Sequence, residues 1–298
     1  MKLLRTPDER FENLPDFPYK PQYLEVDNIR IHYVDEGSKD AEVVLLMHGE
    51  PSWSFLYRHM IPIFVKAGYR TVVPDLVGFG RSDKPTEQSD HTYRKHVEWM
   101  TKLVKSLNLQ NITLFCQDWG SLIGLRVAIE NEERFNRIVL SNGGLPTGAQ
   151  SMPEAFMRWR EFSRMAPKFD IKRSIQGGTV TKLSKAVLRG YDAPFPDDTY
   201  KAGARIMPSL VPISKDDPEF EANTSAWEHF QKWKKPFLTA FSDKDAITRG
   251  GERFWQKIIP GAQGQKHMIV KDGGHFIQED KGVELAKIVI DFIKNNPF

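Results

Sequence analysis

Cysteine occurs once, at Cys116, so no disulfide can close within the chain and no zinc site can be built on paired thiolates. Long apolar runs are also missing. No stretch approaches the roughly 18 consecutive apolar residues of a membrane-spanning helix, and Met1 to Arg10 carries charges but no apolar segment of signal-peptide length. These absences predict a cytoplasmic protein with no membrane partner. Blocks of one charge are scarce too. The 42 basic and 39 acidic residues leave a net charge of only +3, and no run of five or six like charges occurs, which argues against a nucleic-acid partner. The most basic stretch, Arg158 to Arg173, is interrupted by Glu161 and Asp170 and reads as a solvated helical face. No internal repeat or low-complexity segment is evident.

What remains is the composition of an ordinary globular protein, 40% hydrophobic and 27% charged over 298 residues, enough for one large core. Short apolar runs bounded by turn residues alternate with segments of helical period, the pattern of a largely parallel sheet flanked by helices. The spacing predicts strands over Tyr23–Val26, Ile29–Val34, Glu42–Met47, Thr71–Pro74, Ile112–Cys116, Arg137–Ser141, Phe237–Phe241 and His267–Val270. Amphipathic helices are predicted over Tyr93–Leu107, where Val97, Met100, Val104 and Leu107 recur at helical spacing, and over Val283–Ile293. Leu145 to Ile213 breaks the rhythm, with several Pro and Gly and helix-like pieces such as Glu154–Met165. It reads as a helical cap (145–213) inserted into an α/β core made of 1–144 and 214–298, above the carboxyl ends of the strands where open α/β sheets bind ligands.

Three segments carry chemistry. After the strand Ile112–Cys116 comes Gln117-Asp118-Trp119-Gly120-Ser121 and then the helical run Leu122–Ala128, the strand, sharp turn and helix of a nucleophile elbow. Asp118 stands where an esterase has serine, and Cys116 replaces the usual first small residue. Taken alone, an aspartate there is more often a helix N-cap. Two further residues follow in the chain order nucleophile, acid, histidine: Asp245, past the strand Phe237–Phe241, and His275, past His267–Val270. Asp243 competes for the acid role, but Asp245 lies farther along a loop that can turn towards His275. A carboxylate attacking an sp3 carbon forms an ester that water can cleave, whereas a serine would form a stable ether. His275 would activate the water, and Asp245 would orient its ring. His48-Gly49-Glu50-Pro51 follows the strand Glu42–Met47, so the backbone N–H groups of Glu50 and Trp119 are expected to form an oxyanion hole, with His48 orienting the loop.

His48-Gly49-Glu50-Pro51-Ser52-Trp53, Asp75 to Pro85, Gln117-Asp118-Trp119-Gly120 and Gly273-Gly274-His275-Phe276 together resemble the haloalkane dehalogenases over nearly the whole chain. The resemblance implies an α/β-hydrolase fold with an eight-stranded, mostly parallel sheet and a helical cap. It also implies hydrolysis of halogenated alkanes to alcohol, halide and a proton through an alkyl ester on Asp118, without cofactor or metal. The similarity is greatest to the subfamily with an Asp-His-Asp triad and two halide-binding tryptophans, which implies Trp119 and, early in the cap, Trp159; the other acid position of the family holds Asn142, which cannot ionise. The remaining tryptophans, Trp53, Trp99, Trp227, Trp233 and Trp255, are expected to pack. A monomer is expected. Two other readings share the fold: an epoxide hydrolase, for which Tyr191 and Tyr200 would be the acids, and a non-catalytic ligand receptor.

Overall fold

The computed structural model describes residues 1–298. Eight strands form one sheet: β1 (Gln22–Val26), β2 (Ile29–Glu36), β3 (Val43–Met47), β4 (Arg70–Pro74), β5 (Ile112–Gln117), β6 (Phe135–Ser141), β7 (Phe237–Ser242) and β8 (Met268–Val270). Their spatial order is β8-β7-β6-β5-β3-β4-β2-β1. From β8 to β4 every pairing is parallel, while β2 is antiparallel to both its neighbours. Asp27 and Asn28, with φ of 52° and 63°, make the left-handed two-residue turn that a tight β1–β2 hairpin needs. The central strands are buried at every residue along β3, β5 and β7, as sequences such as Val-Val-Leu-Leu-Met require when both faces of a parallel sheet are covered.

Helix α1 (Ile61–Lys66) packs on β4 and on α10 (Ile277–Asn295), and α2 (Tyr93–Ser106) packs on α3 (Trp119–Glu130). The Thr92 side chain caps α2 by accepting from the Lys95 N–H at 3.1 Å, and the stripe Val97, Met100 and Val104 is buried. Helix α3 is buried around its whole circumference from Trp119 to Ala128. Between β6 and α8 (Phe220–Phe230) lie α4 (Glu154–Met165), α5 (Ile171–Gly177), α6 (Lys185–Asp192) and α7 (Ala202–Leu210); α9 (Glu252–Ile258) follows β7.

All eight expected strands are present, with ends shifted by one or two residues. Helix α10 begins six residues before its apolar period does, because Lys281 departs from helical geometry (φ −137°) and Gly282 follows, so the regular stripe starts only after that kink. A two-residue ribbon pairing Leu3–Leu4 with Lys84–Pro85 was not expected from the sequence; it is too short to show a period.

Candidate active site

The turn from β5 into α3 puts Asp118 in a left-handed conformation (φ 50°, ψ −129°) that is costly for a residue with a Cβ. The surroundings impose it. The Asp118 N–H donates to the Asn142 carbonyl (3.0 Å), while the Asp118 carbonyl accepts from the Ser121 N–H (2.8 Å) and hydroxyl (2.6 Å). Close approach demands glycine nearby: a Cβ on Gly120 would sit 2.0 Å from the Met47 carbonyl oxygen, and one on Gly143 would sit 2.2 Å from Ser121 Oγ. Cys116, at the usual small-residue position, is accommodated with its Sγ buried 3.8 Å from the Val139 carbonyl oxygen.

Loops from β3, β7 and β8 meet this elbow. The Glu50 N–H donates to Asp118 Oδ1 at 2.7 Å, and a Cβ on Gly49 would fall 2.2 Å from that oxygen. Trp119 opens α3, so its backbone N–H belongs to the first turn, whose donors have no intrahelical acceptor. His275 Nε2 lies 3.4 Å from Asp118 Oδ2, and Nδ1 lies 3.1 Å from Asp245 Oδ2. Asp243 is turned away and accepts from the Asp272 N–H at 2.8 Å. Burial alone would raise the Asp245 pKa, but the His275 charge and bonds from Thr248 and Ile247 outweigh it and hold it at about 2. Burial likewise opposes a charge on His275, yet Asp245 and Asp118 together push its pKa well above the ordinary histidine range.

His48 holds its loop: its Nε2 accepts from the Leu76 N–H (2.9 Å), which leaves the proton on Nδ1 facing the Gly49 carbonyl (2.9 Å), and burial lowers its pKa. Asn142 is a tether, donating to the carbonyls of Gly274 (2.8 Å) and His275 (3.1 Å). The Gln117 amide nitrogen lies 3.1 Å from the His275 carbonyl and 3.2 Å from its Nε2. Neither amide was marked as a positioning group by the sequence, although both adjoin motif residues. The Glu50 side chain is the other unforeseen participant. It is buried, accepts from the Trp159 indole N–H at 3.2 Å through Oε2, and has no partner at Oε1. Burial and the neighbouring Asp118 push its pKa well up, which favours the uncharged carboxyl.

Asp118, Glu50, Trp119, Trp159 and His275 border a cavity of about 1120 Å³. Most of its wall surface is apolar, and two of the lining residues correct an expectation: Trp227 and Trp255, in contact at 4.1 Å between ring centroids, line the cavity instead of packing only in the core. The Trp227 indole is fixed by donating to the Leu145 carbonyl at 2.7 Å. Trp53, Trp99 and Trp233 are buried away from it. Neither Tyr191 nor Tyr200 borders the cavity. The Tyr191 hydroxyl donates to Glu279 at 2.5 Å, inside a cluster with Arg58, and is unavailable as an epoxide-opening acid.

An aspartate on a strained strand-to-helix turn, with an aspartate and a histidine following past later strand ends, is the arrangement of an α/β-hydrolase. A family described as alpha/beta hydrolase fold matches residues 42–282. Haloalkane dehalogenase from Psychrobacter cryohalolentis is 55% identical over 100% of both chains, and that from Mycobacterium marinum is 50% identical over 98% of this chain and 100% of its own. The tetrameric haloalkane dehalogenase structure from Paraglaciecola agarilytica NO2 superposes with a TM-score of 0.88 at 36% identity, covering 96% of this chain and 97% of that one. The chain belongs to the haloalkane dehalogenase family and is a hydrolase acting on carbon–halide bonds. Neither an epoxide hydrolase nor a non-catalytic receptor is favoured by these relatives.

Proposed function

We propose that dehalogenation runs in two steps on Asp118. Its carboxylate attacks the halogen-bearing carbon, forming an O–C bond as the C–X bond breaks and leaving an alkyl ester and a halide ion. The indole N–H groups of Trp119 and Trp159 receive the halide; they donate without titrating, which suits an anion that needs hydrogen bonds and no proton. Trp159 gives up only a neutral acceptor, the Glu50 carboxyl, when a full anion arrives, and charged acceptors make the stronger bond. His275 then takes a proton from water, the hydroxide adds to the ester carbonyl, and the developing oxyanion is held by the backbone N–H groups of Glu50 and Trp119. Collapse releases the alcohol, and the net products are alcohol, halide and a proton.

The observation that carries this reading is His275 lying between two carboxylates, 3.4 Å from Asp118 and 3.1 Å from Asp245. Before reaction both anions favour the imidazolium. Esterification removes one of the two charges, so the imidazole becomes easier to deprotonate once a base is required. An acid-histidine-nucleophile triad with two halide-binding tryptophans is thus our assignment, with 145–213 as the cap domain over a core of 1–144 and 214–298. A cytoplasmic location and a monomeric state complete the reading, and the oligomeric state is checked by size-exclusion chromatography with light scattering. No helix is long and apolar enough to cross a membrane.

The test is halide release from 1,2-dibromoethane and 1-bromobutane, beside an epoxide panel, by the parent protein and by Asp118→Ala. Bromide should be released by the parent only. More than a small residual rate in the variant would remove Asp118 from the nucleophile role.

A further inference from the structure

The charged residues bordering the cavity are segregated. Its two acids, Glu50 and Asp118, both belong to the catalytic cluster, whereas its lysine and arginines, Arg173, Lys215 and Arg249, come from three separate elements. Arg173 lies on cap helix α5, Lys215 on the segment joining α7 to α8, and Arg249 on the loop between β7 and α9. All three are exposed, so each borders the cavity where it reaches solvent and not at the floor. None is held in an ion pair. The Arg249 guanidinium reaches only a backbone carbonyl, that of Asp243 at 3.3 Å, and the neighbouring ion pairs of cap and loop use other residues. Three unpartnered cations around an apolar-walled cavity focus a positive potential on whatever enters, while the Asp118 carboxylate below disfavours an anion close to the reacting carbon.

We propose that this dehalogenase acts on halogenated aliphatic acids whose carboxylate lies at the far end of the chain from the halogen, the apolar chain filling the cavity and the carboxylate resting among Arg173, Lys215 and Arg249. The volume of about 1120 Å³ is far more than a two- to four-carbon haloalkane occupies and accommodates such a chain. The chemistry is unchanged: water and the C–X bond give a hydroxy acid, halide and a proton. Acids bearing halogen beside the carboxylate are excluded, because binding them would bring their charge against Asp118 with no cation in the catalytic cluster except His275. The inference rests on the two-step reading above and concerns only which molecules enter.

The experiment compares kcat/KM for a series of terminally brominated alkanoates of increasing length with 1-bromoalkanes matched carbon for carbon, and includes a 2-bromoalkanoate. At low ionic strength one length of bromoacid should exceed its matched bromoalkane by about threefold to thirtyfold, the range that up to three exposed charge contacts supply. The ratio should collapse in about 0.5 M sodium sulfate, where the screening length falls to a few Å. It should fall at least threefold in the Arg173→Gln, Lys215→Gln, Arg249→Gln triple variant, and the 2-bromoalkanoate should be poor throughout. The bromoalkane arm reports on dehalogenation itself, and the ratio reports on the opening, so the two readings fail separately. If no bromoacid exceeds its matched bromoalkane at low salt, or if the ratio survives either salt or the triple substitution, the proposal is overturned.

Discussion

Replacing His275 by Gln should divide the reaction at its intermediate. The side chain makes no contact that the first step requires: Asp118 keeps the Glu50 N–H at 2.7 Å, and the halide partners are elsewhere. Losing the 3.1 Å contact to Asp245 does not strand that carboxylate, which still accepts from the Ile247 N–H (2.9 Å), the Thr248 N–H (3.3 Å) and the Thr248 hydroxyl. The fold should therefore lose only about 1.5–3 kcal/mol, the ordinary cost of one charge-assisted bond. The second step, in contrast, loses its base, and a positioned base contributes about a hundredfold to ten-thousandfold. Gln117, beside the vacated ring position, has an amide and cannot replace it. A brominated substrate should then release one bromide per active site in a burst and almost none afterwards. Intact-protein mass spectrometry should show a mass increase equal to the alkyl group, and peptide mapping should locate it on Asp118. Steady turnover at the parental rate would show that His275 is not the base. An adduct on any other residue would refute the mechanism.

Trp159→Phe removes one N–H donor to the halide and should weaken bromide binding about tenfold to a hundredfold, the equivalent of about 1.5–3 kcal/mol for a bond to a charged acceptor, read by quenching of intrinsic fluorescence; parental affinity would reduce Trp159 to packing. The pH profile offers a separate check. Ester hydrolysis needs neutral His275, so its single-turnover rate should rise with pH and then level off, and since esterified Asp118 no longer stabilises the imidazolium, the inflection should lie below that of His275 in the free enzyme. Equal inflections in the two states would mean that Asp118 does not set the charge on the histidine.

The sheet was legible because its central strands are apolar at consecutive positions, as Val43 to Met47 illustrate, and each is closed by turn residues. Asp118, Asp245 and His275 were legible for a related reason: each follows such a strand, so its position along the chain fixes its place at the carboxyl edge. Asp245 over Asp243 could be argued only from loop reach, and the structure brings Asp245, not Asp243, to the ring. Other features had no local signature. The Glu50 to Trp159 contact joins residues 109 positions apart, and no periodicity links them. Trp227 and Trp255 satisfy the same apolar pattern whether they fill a core or face a cavity, because burial is what hydrophobic spacing reports. The kink at Lys281 hid the first turns of α10, since an apolar stripe that changes phase reads as no stripe.

The elbow has an evolutionary corollary. What presents residue 118 is backbone: the Asn142 carbonyl, the Ser121 bonds, and the tight fits of Gly120 and Gly143. None of these depends on the side chain being a carboxylate. On the two-step reading above, the mount is separable from the attacking group: an aspartate there suits saturated carbon and makes a cleavable ester, whereas a serine suits a carbonyl. On that reading a change at position 118 alters the reaction while leaving His275, Asp245 and the backbone donors of Glu50 and Trp119 in place. The selective burden then shifts to the inserted helices and the cavity mouth, where the choice of molecule is made.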